Sequence, residues 1–428
     1  MEVLIIADDL TGANDTGVQF ARRHLQTKVL INKEALIDKD IDILVLDTDS
    51  RSSPYHEAYE KVKQALEAVK SYDMKWIYKK VDSTMRGNIG VELDAILNHS
   101  DAKFIVMAPG YPDNHRIIRN GNIYVGNHLL EKTYFANDVS TPIKSSAVQT
   151  IIEETSDRKI GSITIDDLSN GKSHVQEKIH ELRQDNVEII VCDSANREDL
   201  HTLFHSFLHY IEPFVWCGSA GMAEQLAMYL SKGADVPKNK LNFGQGPILI
   251  GVGSVHDMTR KQLDYLLEET SIVGIDILTA NLLKSEDSKK KELEKAYQRA
   301  MMAYRSEQNV ALYTMADTET RRGVQKLAKE KKITNAELSY MISSSIGILV
   351  KQLMESISIG RAILTGGDTA KRVAEHIGCD QFHLIDVIEE GVPVGVLEGK
   401  YELLTITKAG GFGEEHSLVH AYLALGGK

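Results

Sequence analysis

The sequence predicts an α/β protein with two α/β domains, mostly parallel sheets and a cleft between the domains. Three observations carry this. Short apolar runs alternate with amphipathic stretches along the chain, the pattern of parallel strands covered by helices. Nearly every run ends in a polar, acidic or glycine-rich tip, and parallel strands bring their tips to one edge, where open α/β sheets bind ligands. Finally, residues 231–247 lack hydrophobic periodicity and hold three glycines and two prolines, the composition of a linker. The expected domains are therefore 1–230 and 248–428.

Composition narrows the function classes. Of 428 residues, 43% are hydrophobic and 26% charged, as in an ordinary soluble globular protein. The formal net charge of -12 favours neither nucleic acid nor a membrane surface. An anionic ligand would need local Lys, Arg or backbone N–H groups. The three cysteines are far apart and show no CxxC spacing, which argues against a disulfide framework or a zinc knuckle. A strand begins at Val3 with no basic and apolar leader pattern before it, so a cytoplasmic location is expected. The sequence is compatible with a homo-oligomer and specifies no assembly.

The first strand, Val3 to Ala7, stops at Asp8 and Asp9. A glycine turn at Gly12, a third acid at Asp15 and a helical stretch with Val18, Ala21 and Leu25 follow. Adjacent carboxylates are costly to desolvate, so they fit an open crevice. A solvated loop with a helix cap from Thr11, Asn14 or Asp15 explains them equally well. Further strands are expected at Ile43–Leu46 (tip Asp47 to Arg51), Trp76–Tyr78 (tip Lys79 to Gly87), Phe104–Met107 (tip Ala108 to Pro112), Ile163–Ile165 (tip Asp166, Asp167), Ile189–Val191 (tip Cys192 to Ser194) and Phe214–Trp216 (tip Cys217 to Gly221). The helix after Arg51 carries Tyr59, Val62, Leu66 and Val69 on one face.

The second set of strands is expected at Ile248–Val252, Ile272–Ile277, Val310–Met315, Ala362–Leu364, Phe382–Ile388 and Leu403–Ile406. Helical stretches lie at Lys284–Arg305 and Asn335–Ile357. Three strand-to-glycine turns stand out: Gly251 to Ser254, Thr365 to Thr369, and Lys408 to Gly413. Glycine lets a backbone approach phosphate and turn N–H groups inward, and a following helix N-terminus adds partial positive charge. Candidate nucleotide residues are thus Ser254, Gly366, Gly367, Asp368, Thr369, Gly410 and Gly411. Lys408, Lys371 or Arg372 would offset phosphate charge, and Asp368 would hold Mg²⁺. A tight turn with a capping Asp or Thr accounts for any one of these loops. No GxxxxGK[ST] loop is present, and Gly251-Val252-Gly253 lacks the third glycine of a dinucleotide fingerprint.

Lys79, Lys80, Asp82, Ser83, Thr84 and Arg86 form the densest mixed-polarity tip of the first half. Arg86 offers a planar fork for a carboxylate, and Ser83 and Thr84 can bond hydroxyls. Gly87 and Gly90 suggest close backbone approach. Arg116 and Arg119 either add charge to this site or are ordinary surface arginines. Acids at Asp8, Asp9 and Asp15 facing a cationic tip fit a small polyhydroxy acid, with its carboxylate on Arg86 and Lys80 and its hydroxyl near an aspartate acting as base. His201, His205 and His209 share one helix face, better read as a surface stripe than as a metal site. Cys217 has no nearby histidine to activate it and is expected to be a buried thiol.

The residues together resemble the four-carbon acid sugar kinase family, formerly a domain of unknown function. The resemblance spans nearly the whole chain. Its marks are Ala7 to Gly17, Lys79 to Asn88, Cys217 to Gly221, Gly253-Ser254, Gly366 to Ala370, Gly391-Val392-Pro393 and Thr407 to Gly413, in that order. It implies an N-terminal acid-sugar domain, a C-terminal ATP domain, and ATP-dependent phosphorylation of the terminal hydroxyl of D-threonate, D-erythronate or 3-oxo-tetronate. It implies nucleotide contacts at Ser254, Gly366 to Thr369 and Gly410, and a substrate side at Asp8, Asp9, Lys80, Asp82 and Arg86. Two positions depart from the family pattern. Val255-His256-Asp257 follows Ser254 where another small hydroxyl residue is expected, and Asp113-Asn114-His115 precedes Arg116 where a glycine is usual.

The expected function is an ATP- and Mg²⁺-dependent kinase of a small sugar acid, with Asp9 or Asp8 as base and no nucleic-acid or membrane partner. A kinase of a branched or oxidised acid such as 3-oxo-isoapionate is the alternative within the class. A dehydrogenase or lyase would need NAD or ATP-independent turnover. A non-catalytic acid-sugar and nucleotide sensor would bind without releasing ADP.

Overall fold

The computed structural model describes residues 1–32, 40–137, 142–233, 246–254, 256–314 and 318–427. Most of the expected linker, Val255 and Met315 lie outside them. The chain divides into two compact units, Met1–Val29 with Ile37–Val236, and Leu30–Leu36 with Pro237–Lys428.

In the first unit the strands are β1 (Val3–Ala7), β2 (Thr27–Leu30), β3 (Ile43–Asp47), β4 (Trp76–Lys80), β5 (Phe104–Ala108), β6 (Arg116–Arg119), β7 (Asn122–Val125), β8 (His128–Leu129), β9 (Ile160–Ile163), β10 (Ile189–Cys192) and β11 (Phe214–Gly218). Eight of them lie in the order β2-β3-β1-β4-β11-β5-β10-β9. The pairs from β3 to β9 are parallel. β1, β3 and β5 are buried along their whole length, so each reads as a continuous apolar run. Register places Ala7 beside both Asp47 and Lys80, and Gly218 beside both Lys80 and Ala108. The carboxyl ends of β3, β1, β4, β11 and β5 therefore form one row. β6, β7 and β8 make a separate antiparallel sheet.

Three local expectations need correction here. Gly12 is no turn: it lies in the first turn of the helix Leu10–Ala21, whose cap is Asp9 rather than Thr11, Asn14 or Asp15. That helix stops before Leu25, because His24 takes a left-handed φ of 61°. The strand expected at Ile163–Ile165 ends at Ile163, because Thr164 and Asp167 form a capping box that starts a helix at Ile165.

The second unit holds β12 (Ile248–Val252), β13 (Val273–Asp276), β14 (Val310–Tyr313), β15 (Arg361–Thr365), β16 (Cys379–Glu389), β17 (Val392–Gly399) and β18 (Leu403–Lys408), in the order β13-β14-β12-β15-β18-β17-β16. β13 to β18 pair in parallel, whereas β17 runs antiparallel to both of its neighbours. One core joins Ile250, Ile363, Val394, Ile406, Leu418 and Tyr422 beneath these strands. β12, β15 and β18 are adjacent and in register, with Val252 beside Thr365 and Thr365 beside Lys408. The three glycine turns thus leave from neighbouring strand ends. Among the described residues no helix is long and apolar enough to cross a membrane.

Candidate active site

In the first unit the row of strand ends brings Asp8 and Asp9 together with Arg51, from the tip after β3. Arg51 donates from Nε and Nη2 to Asp8 at 2.7 and 2.9 Å, and from Nη1 and Nη2 to Asp9 at 2.7 and 2.8 Å. One guanidinium therefore bridges two adjacent carboxylates through charge-assisted, forked bonds. Asp9 also accepts from Gly12 N–H at 2.8 Å, as the helix cap. The two acids are not equivalent. The Asp8 side chain is 1% exposed and that of Asp9 27%, so Asp9 is the one a ligand can reach. Burial pushes both carboxyls up. In Asp8, Arg51, Lys79 and Lys80 outweigh burial and hold it below the usual range. In Asp9, burial and the charge of Asp8 prevail over Arg51 and Lys80, leaving it above that range. An accessible carboxylate with a raised pKa is suited to accept a proton.

Beneath this pair lies a second ion pair. Lys79 and Glu92 are both fully buried, 2.6 Å apart. Burial lowers the Lys79 ammonium, but Glu92 and Asp8 more than compensate and keep it charged. Ser50 donates to Glu92 and bonds Thr48, which donates to the carbonyl of Ala7. Lys80, also buried, ends against Gly12: a Cβ there would lie 2.8 Å from Nζ and 2.7 Å from Asp9 Oδ1.

The tip after β4 folds over the acids. Arg86 Nε donates to Asp82 Oδ2 at 2.6 Å and Thr84 donates to the same oxygen. Burial raises the Asp82 carboxyl, but Arg86, Arg51 and Thr84 hold it well below the ordinary range. Gly87, at φ 108°, passes so close that a Cβ would sit 3.2 Å from Asp8 Oδ2, as close backbone approach predicts. Gly90 has a different reason. Its Cβ would strike the Ile152 carbonyl and Thr155, so it serves packing and not a ligand. Ser83 is half-buried in this turn, and its hydroxyl bonds none of the described residues. Arg86 and Arg116 both stack on Phe135, at 5.3 and 5.5 Å from its centroid, whereas Arg119 is exposed.

The departure before Arg116 leaves the backbone as a glycine would have it. His115 adopts φ 55° and ψ 32°, a left-handed conformation that histidine enters more readily than most residues. Asp113 forms a bidentate ion pair with Arg197.

Other acidic tips do structural work. Asp167 caps its helix, and Asp193 accepts from the backbone N–H groups of Asn120, Gly121 and Ile165. The rings of His201 and His205 lie 4.3 Å apart, tilted by 51°. Cys217 is buried, and burial, together with the charges of Glu92 and Asp8, pushes its thiol up to about 12, which removes it as a nucleophile.

In the second unit the glycine turns converge. A Cβ on Gly253 would meet Thr369 Oγ1, and one on Gly410 would meet Ser254 Oγ. Gly366, at φ 94°, caps the helix Gly367–Ile377 and lies beside both Ser254 and Thr369. Gly411 lies against the ring of His256, whose Nδ1 accepts from Met258 N–H at 3.2 Å. His256 thus performs the helix-capping task of a small hydroxyl residue. Asp368 stands in the first helical turn, exposed, with Oδ2 accepting from Ser339 at 2.8 Å. Two expected phosphate partners are otherwise engaged. Arg372 pairs with Glu375 and covers the Tyr340 ring, and Lys408 is buried with Nζ turned onto the carbonyls of its own loop.

Comparison with known proteins fits this division. Residues 3–226 match the model of a sugar-binding N-terminal domain and residues 249–418 that of a nucleotide-binding C-terminal domain. The chain belongs to the four-carbon acid sugar kinase family. It is similar to a D-threonate kinase of Salmonella typhimurium, 29% identical over 98% of this chain and 97% of the relative. It is also similar to a D-erythronate kinase of Heliobacterium modesticaldum, 27% identical over 96% and 93%, and to a 3-oxo-tetronate kinase of Haemophilus influenzae, 26% identical over 97% and 98%. A solved Haemophilus influenzae structure matches with a TM-score of 0.78 at 25% identity, covering 98% of each chain.

Arg51, Glu92 and Phe135 are the residues that reading the sequence for a site missed. Arg51 closes the polar tip after β3, and that position is its one local signal. Glu92 sits inside a helix, and nothing local marks it as a partner of Lys79.

Proposed function

We propose that this chain transfers the γ-phosphoryl group of ATP to a hydroxyl of a four-carbon sugar acid of the D-threonate, D-erythronate or 3-oxo-tetronate type. The observation that carries the reading is the Asp8–Arg51–Asp9 clamp, in which Asp9 alone is both accessible and raised in pKa. The family and its kinase relatives support the class of reaction.

In this reading Asp9 accepts the proton of the attacking hydroxyl. Arg51 keeps Asp9 ionised and aimed. Lys80, Ser83 and Arg86 face the acid's carboxylate and hydroxyls, and Asp82 holds Arg86 in place. Ser254, Gly366 to Thr369, Gly410 and Gly411 hold the nucleotide phosphates through backbone N–H groups and a helix N-terminus. In-line transfer needs the acid's hydroxyl and the γ-phosphoryl group held in reacting geometry.

Mg²⁺ fits the second unit in one respect. Asp368 is a single exposed carboxylate with one oxygen tied to Ser339, and Mg²⁺ in such enzymes takes one or two carboxylates and fills its shell with water and phosphate. The ion would offset charge on the transferring phosphoryl group. The test is ADP release by the purified chain with ATP, Mg²⁺ and a panel of tetronates. Stimulation by at least one member, with the phosphorylated acid formed in step with ADP, is expected. ATP binding without stimulation by any of them would refute the substrate class.

A further inference from the structure

The loop after β18 has an unusual distribution of its polar groups. Lys408 Nζ donates to the carbonyls of Ala409 at 2.7 Å, Gly410 at 3.3 Å and Phe412 at 3.0 Å. Thr259 Oγ1 donates to the Gly410 carbonyl at 2.5 Å. Gln262 Nε2 donates to the carbonyls of Phe412 and Glu414 at 3.1 and 2.7 Å. Four carbonyls of the loop are thus drawn onto donors from three side chains. The N–H groups of Gly410, Gly411 and Gly413, by contrast, meet no acceptor among the described residues. Gly411 is exposed and Gly410 and Gly413 are half-buried. A backbone whose carbonyls are tied down on one side offers its amides on the other, the polarity an anion requires.

We propose that Lys408, assisted by Thr259 and Gln262, is a positioning residue of the nucleotide loop: it gathers the carbonyls so that the amides of Gly410, Gly411 and Gly413 face the phosphates. This rests on the reading of the second unit as the nucleotide site. It assigns Lys408 a role different from the direct phosphate contact its sequence position suggests, because all three ammonium protons are spent on carbonyls. Substituting another cation at the surface would not replace it.

The charge on Lys408 also matters. Burial lowers its ammonium to about 8, with Glu389 opposing. Glu389, at the end of β16, is the acid whose field reaches it; Glu389 in turn accepts from Ser417 and lies 3.7 Å from His420. His256 faces the same loop at Gly411. As pH rises through about 8, Lys408 loses a donor and its charge, one carbonyl is released, and nucleotide affinity falls.

The test is calorimetric titration of the full chain with a nonhydrolysable ATP analogue, beside the KM for ATP and for whichever tetronate the wild type turns over. Lys408→Met is expected to weaken the analogue and raise the ATP KM by roughly ten-fold or more, with the acid KM unchanged. Lys408→Arg is expected to recover most of the affinity and to abolish the decline above about pH 8. If Lys408→Met does not fold, Thr259→Val carries the same test at the Gly410 carbonyl, with a smaller loss confined to the nucleotide. Wild-type affinity in the folded Lys408→Met protein, or equal losses for nucleotide and acid, would overturn the proposal while leaving the nucleotide site standing. No analogue binding by the wild type would overturn the site and the proposal together.

Discussion

Replacing Arg51 with Gln removes the guanidinium shared by Asp8 and Asp9, and the consequence can be worked from the contacts. Four hydrogen bonds of 2.7–2.9 Å disappear, and two adjacent carboxylates are left facing each other. An arginine beside an aspartate lowers its pKa by about 1–3 units, worth about 1.4–4 kcal/mol. The Asp9 side chain is 27% exposed, so solvent screening favours the lower half of that interval. Asp9 already stands above the usual range, so losing Arg51 raises it further and shrinks its ionised fraction at any given pH. A base works only when ionised. The acid limb of the kcat–pH profile should therefore move to higher pH by about one to two units, and part of the lost activity should return in alkaline buffer. Arg51→Lys keeps a charge but not the fork, and should shift the limb less. Steady-state ADP release across pH is the assay. An acid limb that stays in place in a folded Arg51→Gln protein, with kcat lowered equally at every pH, would refute the electrostatic role given to Arg51.

Two further outcomes follow from buried charge. Lys79→Met leaves Glu92 uncompensated with both side chains at 0% exposure, so denaturant unfolding should show a loss of about 3–5 kcal/mol, and the double variant Lys79→Met/Glu92→Leu should recover most of it. A single variant as stable as the wild type would contradict the pairing. Asp82 has a depressed folded pKa, so its contribution is complete above the unfolded value near about 4 and is lost as pH falls below it. Asp82→Asn should therefore cost about 1.5–3 kcal/mol near neutrality and converge with the wild type in acid; a constant difference across that window would argue against it.

Much of this was legible because buried parallel strands announce themselves. β1, β3, β5 and β12 are continuous apolar runs with abrupt polar ends, and a parallel register must align those ends. The antiparallel parts were harder. β17 contains Pro393, which ordinarily argues against a strand interior, and its partner β16 is only half-buried along much of its length. The β6–β7 hairpin does carry a signal, Asn120-Gly121, both at positive φ, the strongest short hairpin mark there is. At the site, residue types were readable but pairings were not. Asp8 and Asp9 could be picked out as neighbours, yet their counter-ion comes from 42 and 43 positions away, and only the sheet order brings it in. For the same reason Lys408 could be seen as a cation by a glycine loop, but not as one already spent on that loop's carbonyls.

The most direct test of the whole account is a comparison of Asp9→Asn with the wild type in two measurements on one preparation: turnover of the preferred tetronate, and its equilibrium binding in the absence of ATP. Asp9→Asn keeps the size and the cap to Gly12 while losing the proton acceptor. Turnover should fall by roughly a hundred-fold or more, the range of a positioned general base, with acid affinity changed by far less. Turnover that survives the substitution would contradict the assignment of Asp9 as the base.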